Sequence, residues 1–202
     1  MTSLEIQAAA AKSAGVLLAN ATTAQKNNAL CAIAAALIYH QDVVLAANRQ
    51  DLLIARAWGM TPAMLDRLTL TPQRIEGIAD GVLQVSSLPD PIGSVLSTQT
   101  RPNGLVIEKR RVPLGLVGII YEARPNVTVD AAVLCLKAGN AVLLRGGKEA
   151  ICSNTALAEI MSDAVFTAGL PRESVTLVTD IARTSADEMM NLTDYLDVLI
   201  PR

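Results

Sequence analysis

The sequence is poor in histidine and cysteine, and this scarcity excludes several classes of site. Its 202 residues include one histidine, His40, and three cysteines at wide spacing, Cys31, Cys135 and Cys152. An odd number of distant cysteines does not build a disulfide framework and favours a reducing cytoplasm. Cysteine and histidine do not cluster at metal-ligand spacing, and His40 is predicted to be a structural helix residue. The sequence therefore predicts no metal site and no histidine-dependent hydrolase.

The sequence also lacks an excess of positive charge and a long apolar run. The formal net charge is −2, so there is no general basic field for nucleic acid or an anionic membrane. No apolar run approaches the roughly 20 residues that span a bilayer. The N-terminus "MTSLEIQAAAAKSAG" carries Glu5 early and does not have the pattern of a signal peptide. We therefore expect a cytoplasmic protein with neither nucleic acid nor membrane as partner.

Residues 1–93 are predicted to form an N-terminal helical region. Thr22 or Thr23 can cap a helix with an apolar stripe, and Gly59 can end a later one. Thr61-Pro62 and Thr71-Pro72 each combine a cap with a proline at the first helical position. The stretch "SSLPDPIG" then ends the helices.

Residues 94–112 have the pattern of a β-hairpin arm. "SVLSTQT" and "LVIEKRRV" flank "RPNG", and Asn103-Gly104 is a strong signal for a hairpin turn. Lys109, Arg110 and Arg111 fall on the second strand. These cations fit a solvated strand or a subunit contact better than a phosphate site, although both interpretations remain open.

Residues 113–202 alternate between apolar strands and amphipathic helices, which predicts an α/β fold with a parallel sheet. The predicted strands are 116–121, 141–145, 175–178 and 197–201. The predicted helices are 126–137, one that begins near 153, and a short one opened by a capping box at 185–188. Ligands bind beyond the carboxyl ends of such strands. Because the last strand has no loop after it, we expect an incomplete domain within a longer protein.

The first strand of this region ends in a polar cluster without the usual dinucleotide motif. "PLGLVG" contains only Gly115 and Gly118, so no G-x-G-x-x-G follows the strand, which counts against a standard NAD-binding dehydrogenase. The cluster "YEARPN" ends at Asn126, just after Pro125. The amide could cap the next helix, or it could donate a hydrogen bond to a developing oxyanion.

The second strand leads into "LLRGGKEA", where Arg145 and Lys148 flank Gly146 and Gly147. Glycines allow a ligand to approach the backbone, and the cations favour phosphate. The segment is not a P-loop, because Glu149 stands where Ser or Thr is required. A plain turn with two solvated charges is the alternative interpretation.

The stretch "RRVPLGLVGIIYEARPNVTVDAAVLCLKAGNAVLLRGGKEA" resembles the signature region of the γ-glutamyl phosphate reductases, a family of the aldehyde dehydrogenase superfamily. "AMLDRLTLTP", "LPDPIG" and "YLDVLIPR" resemble the same family in the same order. The resemblance covers essentially the whole chain. It implies NADPH-dependent reduction of L-glutamyl 5-phosphate to glutamate 5-semialdehyde in proline biosynthesis. It also implies a Rossmann-like parallel sheet of the aldehyde dehydrogenase type, a homo-oligomer and association with glutamate 5-kinase.

The resemblance assigns roles to individual positions. It implies that Asn126 is the oxyanion-hole donor, and that the segment Tyr121, Glu122 and Ala123 lines the nicotinamide side. Arg145 falls where many relatives carry a lysine that contacts the adenosine ribose, beside Gly146 and Gly147. Lys148 falls where NAD-preferring relatives carry a glutamate, so a cation there suits the 2′-phosphate of NADPH.

The chain departs from the family pattern in one important respect. The family's nucleophilic cysteine lies beyond "LIPR", in a catalytic domain, and none of the three cysteines matches it. We therefore expect residues 113–202 to be an incomplete NADP-binding region, and the 202-residue chain to be inactive alone. The alternative is a non-catalytic nucleotide-binding or subunit-pairing module, and a third is another aldehyde or acyl-phosphate reductase.

Overall fold

The computed structural model describes residues 1–201 of the chain, which begins with five helices. They are α1 (Ser3–Leu18), α2 (Thr23–Tyr39), α3 (Gln41–Ala57), α4 (Pro62–Leu68) and α5 (Pro72–Ser87). Four begin at a threonine whose hydroxyl accepts a backbone N–H three residues later: Thr2, Thr22, Thr61 and Thr71. The predicted Thr-Pro helix starts are confirmed.

The junction of α2 and α3 differs from the prediction for His40. His40 ends α2 and precedes α3, so it lies exposed at a bend and not inside a helix. No single helix among residues 1–201 has the length and apolar character needed to cross a bilayer; α2 and α3 reach that threshold only when counted together across a 67° bend.

The predicted hairpin is confirmed as β1 (Val95–Thr100) and β2 (Val106–Arg110), which pair antiparallel. Gly104 adopts a φ of 85°, which glycine tolerates and a turn of this kind requires. Every residue of both strands is exposed. Arg110 pairs with Glu108 of its own strand at 2.6 Å, as expected for a solvated strand.

The remaining strands form one parallel sheet. They are β3 (Leu116–Ile120), β4 (Ala141–Arg145), β5 (Val175–Leu177) and β6 (Val198–Pro201), in the spatial order β5-β4-β3-β6. Helices α6 (Pro125–Lys137), α7 (Ile151–Thr167) and α8 (Arg183–Met190) connect them. The chain moves outward from β3 to β5 and then returns to the other side of β3. The direction of winding thus reverses between β3 and β6, where α/β sheets bind ligands.

The N-terminal helices cover both faces of this sheet. On one face α6 and α7 pack on the strands, with α2 and α5 packed outside them. On the other face α1 packs against β3 and β4, burying Leu4, Ala8 and Ala11 against Leu116 and Leu143. The helical region therefore shares the core of the α/β region, and the arrangement is a layered α/β fold.

The predicted capping box at 185–188 is wrong. Helix α8 begins three residues earlier, with Ala182 and not Ser185 as the cap residue, and no side chain caps it. The Ser185 hydroxyl lies 2.7 Å from the Ala182 carbonyl oxygen and 2.8 Å from that of Asp180. It also accepts a hydrogen bond from Arg145. Because these tertiary and local contacts use the hydroxyl, it does not serve the free N–H groups of the helix.

Candidate functional site

The carboxyl ends of β3 and β4 lie level and bring the two signature segments together. Ile120 pairs with Arg145, and the Tyr121 N–H donates to the Arg145 carbonyl at 3.0 Å. The "YEARPN" and "RGGKEA" segments therefore leave the sheet at one edge, as the sequence predicted for the ends of parallel strands.

The two glycines allow these segments to touch. A Cβ at Gly146 would overlap the Asn154 amide nitrogen and lie 3.1 Å from the Tyr121 ring. A Cβ at Gly147 would lie 3.1 Å from the Ala123 nitrogen. The two glycines therefore allow the segment after β4 to pack closely against the segment after β3.

Tyr121 is a structural anchor of this edge. Its ring is buried, and its hydroxyl lies 2.8 Å from Thr128 Oγ1, which donates to Asn154 Oδ1 at 2.8 Å. Burial raises the pKa of Tyr121 above its usual range. The network ties β3 to α6 and α7, so the backbone of residues 121–123, together with the exposed Glu122, is what faces the crevice.

Two buried polar residues of α3 support the glycine loop, and sequence reasoning missed both. Asp51 accepts hydrogen bonds from the backbone N–H groups of Cys152 and Ser153, at 3.0 and 2.7 Å, and from the Ser153 hydroxyl at 2.6 Å. Asn48 donates to the Leu68 carbonyl oxygen and to Ser153 Oγ. Their positions could have revealed them, because Asn48 and Asp51 fall at helical spacing in the buried stripe of Val44, Asn48, Asp51 and Ala55. Buried polar residues require hydrogen-bond partners.

The two cations of the glycine loop diverge. Arg145 donates through Nε to Ser185 Oγ at 3.0 Å and through Nη2 to the Ala182 carbonyl at 2.9 Å. Lys148 Nζ lies 4.8 Å from the centre of the Trp58 ring, beyond the end of α3. The structure therefore does not join them in one cluster: Arg145 fastens the start of α8, and Lys148 is exposed.

Asn126 is not the cap of α6, so that interpretation is wrong. Arg124 is the cap residue, Pro125 is the first helical residue, and Asn126 follows it. The fixed φ of proline suits the first helical position, which moves the cap one residue upstream of the proline. Asn126 Nδ2 donates to Asp130 Oδ2 at 3.2 Å. The side chain is thus half-buried and lies at a cavity wall, free of any capping role.

Two neighbouring cavities open at this edge. The first, of about 460 Å³, is bounded by Asn126, Asp130 and the glycine face of α5 at Gly77 and Gly81. The second, of about 390 Å³, is bounded by residues 120–124 together with Gly147 and Glu149. Arg67 and Arg124 line both cavities. Asn126 and the segment 121–123 therefore occupy adjacent parts of one crevice.

None of the cysteines lines either cavity within residues 1–201. Burial raises the pKa of the Cys135 thiol to about 12. Burial also raises the pKa of Cys152, and the neighbouring Asp51 carboxylate raises it further. A raised pKa disfavours the thiolate, so neither environment activates a nucleophile. No group of three or more His, Cys, Asp or Glu side chains in the same range is placed to hold a metal ion.

Comparison with known proteins shows which proteins this chain resembles in sequence and in fold. The model of the aldehyde dehydrogenase family matches residues 3–198. The chain is 51% identical over 202 residues to the gamma-glutamyl phosphate reductase of Anoxybacillus flavithermus (strain DSM 21510 / WK1), covering 100% of this chain and 49% of that protein. The chain spans about half the length of the curated relatives it matches.

Two solved structures share the fold over the whole chain. The gamma-glutamyl phosphate reductase of Thermotoga maritima has a TM-score of 0.98 at 40% identity, covering 100% of this chain and 49% of its own. The gamma-glutamyl phosphate reductase of Saccharomyces cerevisiae has a TM-score of 0.91 at 28% identity, with 100% and 51% covered. The predicted fold class, a Rossmann-like sheet preceded by helices and a hairpin arm, is confirmed.

Proposed function

The chain belongs to the aldehyde dehydrogenase family, and from this we propose that it is the nicotinamide-nucleotide-binding part of a γ-glutamyl phosphate reductase. The whole protein would reduce L-glutamyl 5-phosphate with NADPH to glutamate 5-semialdehyde in proline biosynthesis. The observation that carries the proposal is 51% identity to a protein of that name across all 202 residues, including both segments that line the crevice.

The geometry of the crevice supports distinct roles for its two halves. Asn126 lines the larger cavity with a primary amide that can donate to an oxyanion, provided that its 3.2 Å bond to Asp130 opens or is shared. The segment Tyr121, Glu122 and Ala123 bounds the smaller cavity mainly through its backbone and offers a wall for the nicotinamide ring. The reacting carbonyl would then lie between the two, near Arg124.

The residues at the carboxyl edge fit an NADPH cofactor, which supplies the hydride when bound. The cleft at the ends of β3 and β4 is the usual nucleotide position in such sheets. Lys148 presents an exposed ammonium group that suits a 2′-phosphate. Gly146 and Gly147 hold the loop close to the sheet, and Arg145 retains one terminal nitrogen, Nη1, after its bonds to α8. Its proposed contact with the adenosine ribose would use that nitrogen.

Nucleotide binding by this chain tests the proposal. The dissociation constants of NADPH and NADH are measured by calorimetry for the wild type, for Lys148→Ala, and for Lys109→Ala as a matched loss of an exposed lysine on the hairpin. We expect Lys148→Ala to weaken NADPH about tenfold and NADH hardly at all, because only NADPH carries the 2′-phosphate. Equal losses for the two nucleotides would contradict the role of Lys148. Binding of neither nucleotide to the wild-type chain would contradict the proposed function.

The partner and location assignments belong to the same proposal. The hairpin supports a homo-oligomer, since Val95, Leu96, Val106 and Ile107 are exposed on a two-stranded sheet that makes no extensive contact with another element in residues 1–201. The same exposure favours the alternative of a subunit-pairing module. A cytoplasmic enzyme, associated with glutamate 5-kinase, is the setting that we propose for this biosynthetic step. The division into residues 1–93, 94–112 and 113–202 stays a proposal as well.

A further inference from the structure

Two arginines at the boundary between the cavities have no side-chain partner among residues 1–201. Arg67 comes from α4 and Arg124 from the cap of α6, and both line both cavities. No hydrogen bond or ion pair engages either guanidinium within residues 1–201. The third arginine of this crevice, Arg74, is engaged within the protein: it donates to the carbonyl oxygens of Asp66 and Thr69 and to the Asp66 carboxylate at 2.7 Å.

The backbone that carries each unpaired arginine is held in place. The Arg124 N–H donates to the Glu122 carbonyl at 2.8 Å, and the Arg124 carbonyl accepts the Val127 N–H at 3.0 Å. Arg67 precedes Leu68, which is fully buried and bonded through its carbonyl to Asn48. Two guanidinium groups on a fixed backbone, without an acceptor among residues 1–201, are available to an external anion.

The surrounding charges restrict where that anion can lie. In the larger cavity the Asp66 carboxylate is paired with Arg74, and the Asp130 carboxylate accepts from Asn126. In the smaller cavity Glu122 and Glu149 would repel an anion. Asp130 keeps its negative charge, because an amide donor does not neutralise a carboxylate. The wall that Arg67 and Arg124 share is therefore where positive charge is concentrated, and the N-terminal end of α6 adds to it.

We propose that Arg67 and Arg124 together bind the phosphoryl group of the acyl phosphate substrate. This inference rests on the proposed function, because it assumes that Asn126 receives the carbonyl oxygen. In an acyl phosphate a single oxygen joins the phosphorus to the carbonyl carbon, so the phosphate site must adjoin the oxyanion donor. Arg124 stands two residues before Asn126 in the chain, and planar guanidinium groups match phosphate oxygens in pairs.

Inorganic phosphate is the probe for this site. Its dissociation constant is measured for the 202-residue chain by calorimetry at constant ionic strength, with sulfate as a second oxyanion and chloride as the balance. The variants are Arg67→Ala, Arg124→Ala and the double substitution, with Arg111→Ala of the exposed hairpin as a control of equal charge change. We expect each single variant to weaken phosphate binding about tenfold, the double variant to abolish it, and the control to match the wild type.

The Arg67→Lys and Arg124→Lys variants keep the positive charge but lose the planar guanidinium group. They replace an alanine variant that does not fold. We expect them to bind phosphate at an intermediate strength. Wild-type affinity in the double variant, an equal loss in the control, or no phosphate binding by the wild-type chain would overturn the assignment. These results are distinguishable from failure of the proposed function, which is reported by NADPH binding to the wild type. Loss of that cofactor binding with phosphate binding intact would contradict the enzyme assignment and leave an anion site.

Discussion

Removal of the Asp51 carboxylate should severely destabilise the chain, because it supports the start of α7 from inside the core. Asp51 is 1% exposed and accepts three hydrogen bonds, from two backbone N–H groups and one hydroxyl of residues 152 and 153. In Asp51→Ala those three donors lose their acceptor in a site that water does not reach. Each unmade buried bond costs about 1–3 kcal/mol, and bonds that share one acceptor are less than additive.

We therefore expect Asp51→Ala to lower the free energy of unfolding by about 3–5 kcal/mol. Asp51→Asn preserves the volume and one acceptor oxygen, so its cost should be roughly half as large. Urea titration followed by circular dichroism measures both values, provided that the slope with urea is unchanged. Asp80→Ala on the exposed side of α5 is the matched control and should change stability by no more than about 0.5 kcal/mol.

A loss below about 1 kcal/mol in Asp51→Ala would refute this account. It would mean that the α7 terminus is satisfied by other groups or is open to water. If Asp51→Ala lost as much stability as expected and Asp80→Ala lost the same amount, the cause would instead be a general effect of removing a charge. The two Asp51 variants should also disturb nucleotide binding, because α7 begins directly after the loop that carries Lys148.

Two further predictions concern buried ionisable groups. Lys26 is 2% exposed and pairs with Asp90 at 2.6 Å; although burial opposes it, this hydrogen bond holds the pKa of Asp90 below its usual value. The ion pair therefore stabilises the fold above about pH 4, and this stabilisation is lost as the pH falls through the lowered pKa of Asp90 in the folded protein. We expect Asp90→Asn to lower the free energy of unfolding by about 3–5 kcal/mol at neutral pH. The variant should also show a weaker loss of stability at acid pH when stability is measured against pH. A thiol reagent at pH 8 should modify the exposed Cys31 first, Cys152 more slowly, and Cys135 only on unfolding, since burial raises the pKa of Cys135 and Cys152. Mass spectrometry of the labelled chain measures the order of modification. Rapid labelling of Cys135 in the native chain would contradict this prediction.

The elements whose start or turn depends on neighbouring residues were predictable. A Thr-Pro pair specifies a helix start because the hydroxyl and the ring act within three residues of each other, and the two predicted starts are confirmed. Asn103-Gly104 likewise specified the hairpin turn. The same reasoning failed at Asn126, where a good capping residue follows a proline that itself takes the first helical position.

The candidate site was only partly predictable, because its supporting contacts join distant parts of the chain. Asp51 and Ser153 are 102 residues apart, and only the fold makes one the acceptor of the other. Arg145 and Lys148 are near neighbours in sequence, yet their side chains are drawn to α8 and to Trp58 in different directions. That Arg67 and Arg124 find no side-chain partner within the described residues 1–201 is likewise a property of what surrounds them.

The sequence by itself determined the alternation of strand and helix, the hairpin, the polar ends of β3 and β4, and the family resemblance carried by those ends. These features follow from backbone dihedral preferences, apolar periodicity and hydrogen bonds between near neighbours. The tertiary structure alone decided which polar groups are satisfied inside the protein and which remain available to a ligand. That distinction depends on burial and on partners brought together by the sheet order β5-β4-β3-β6, which no local pattern encodes.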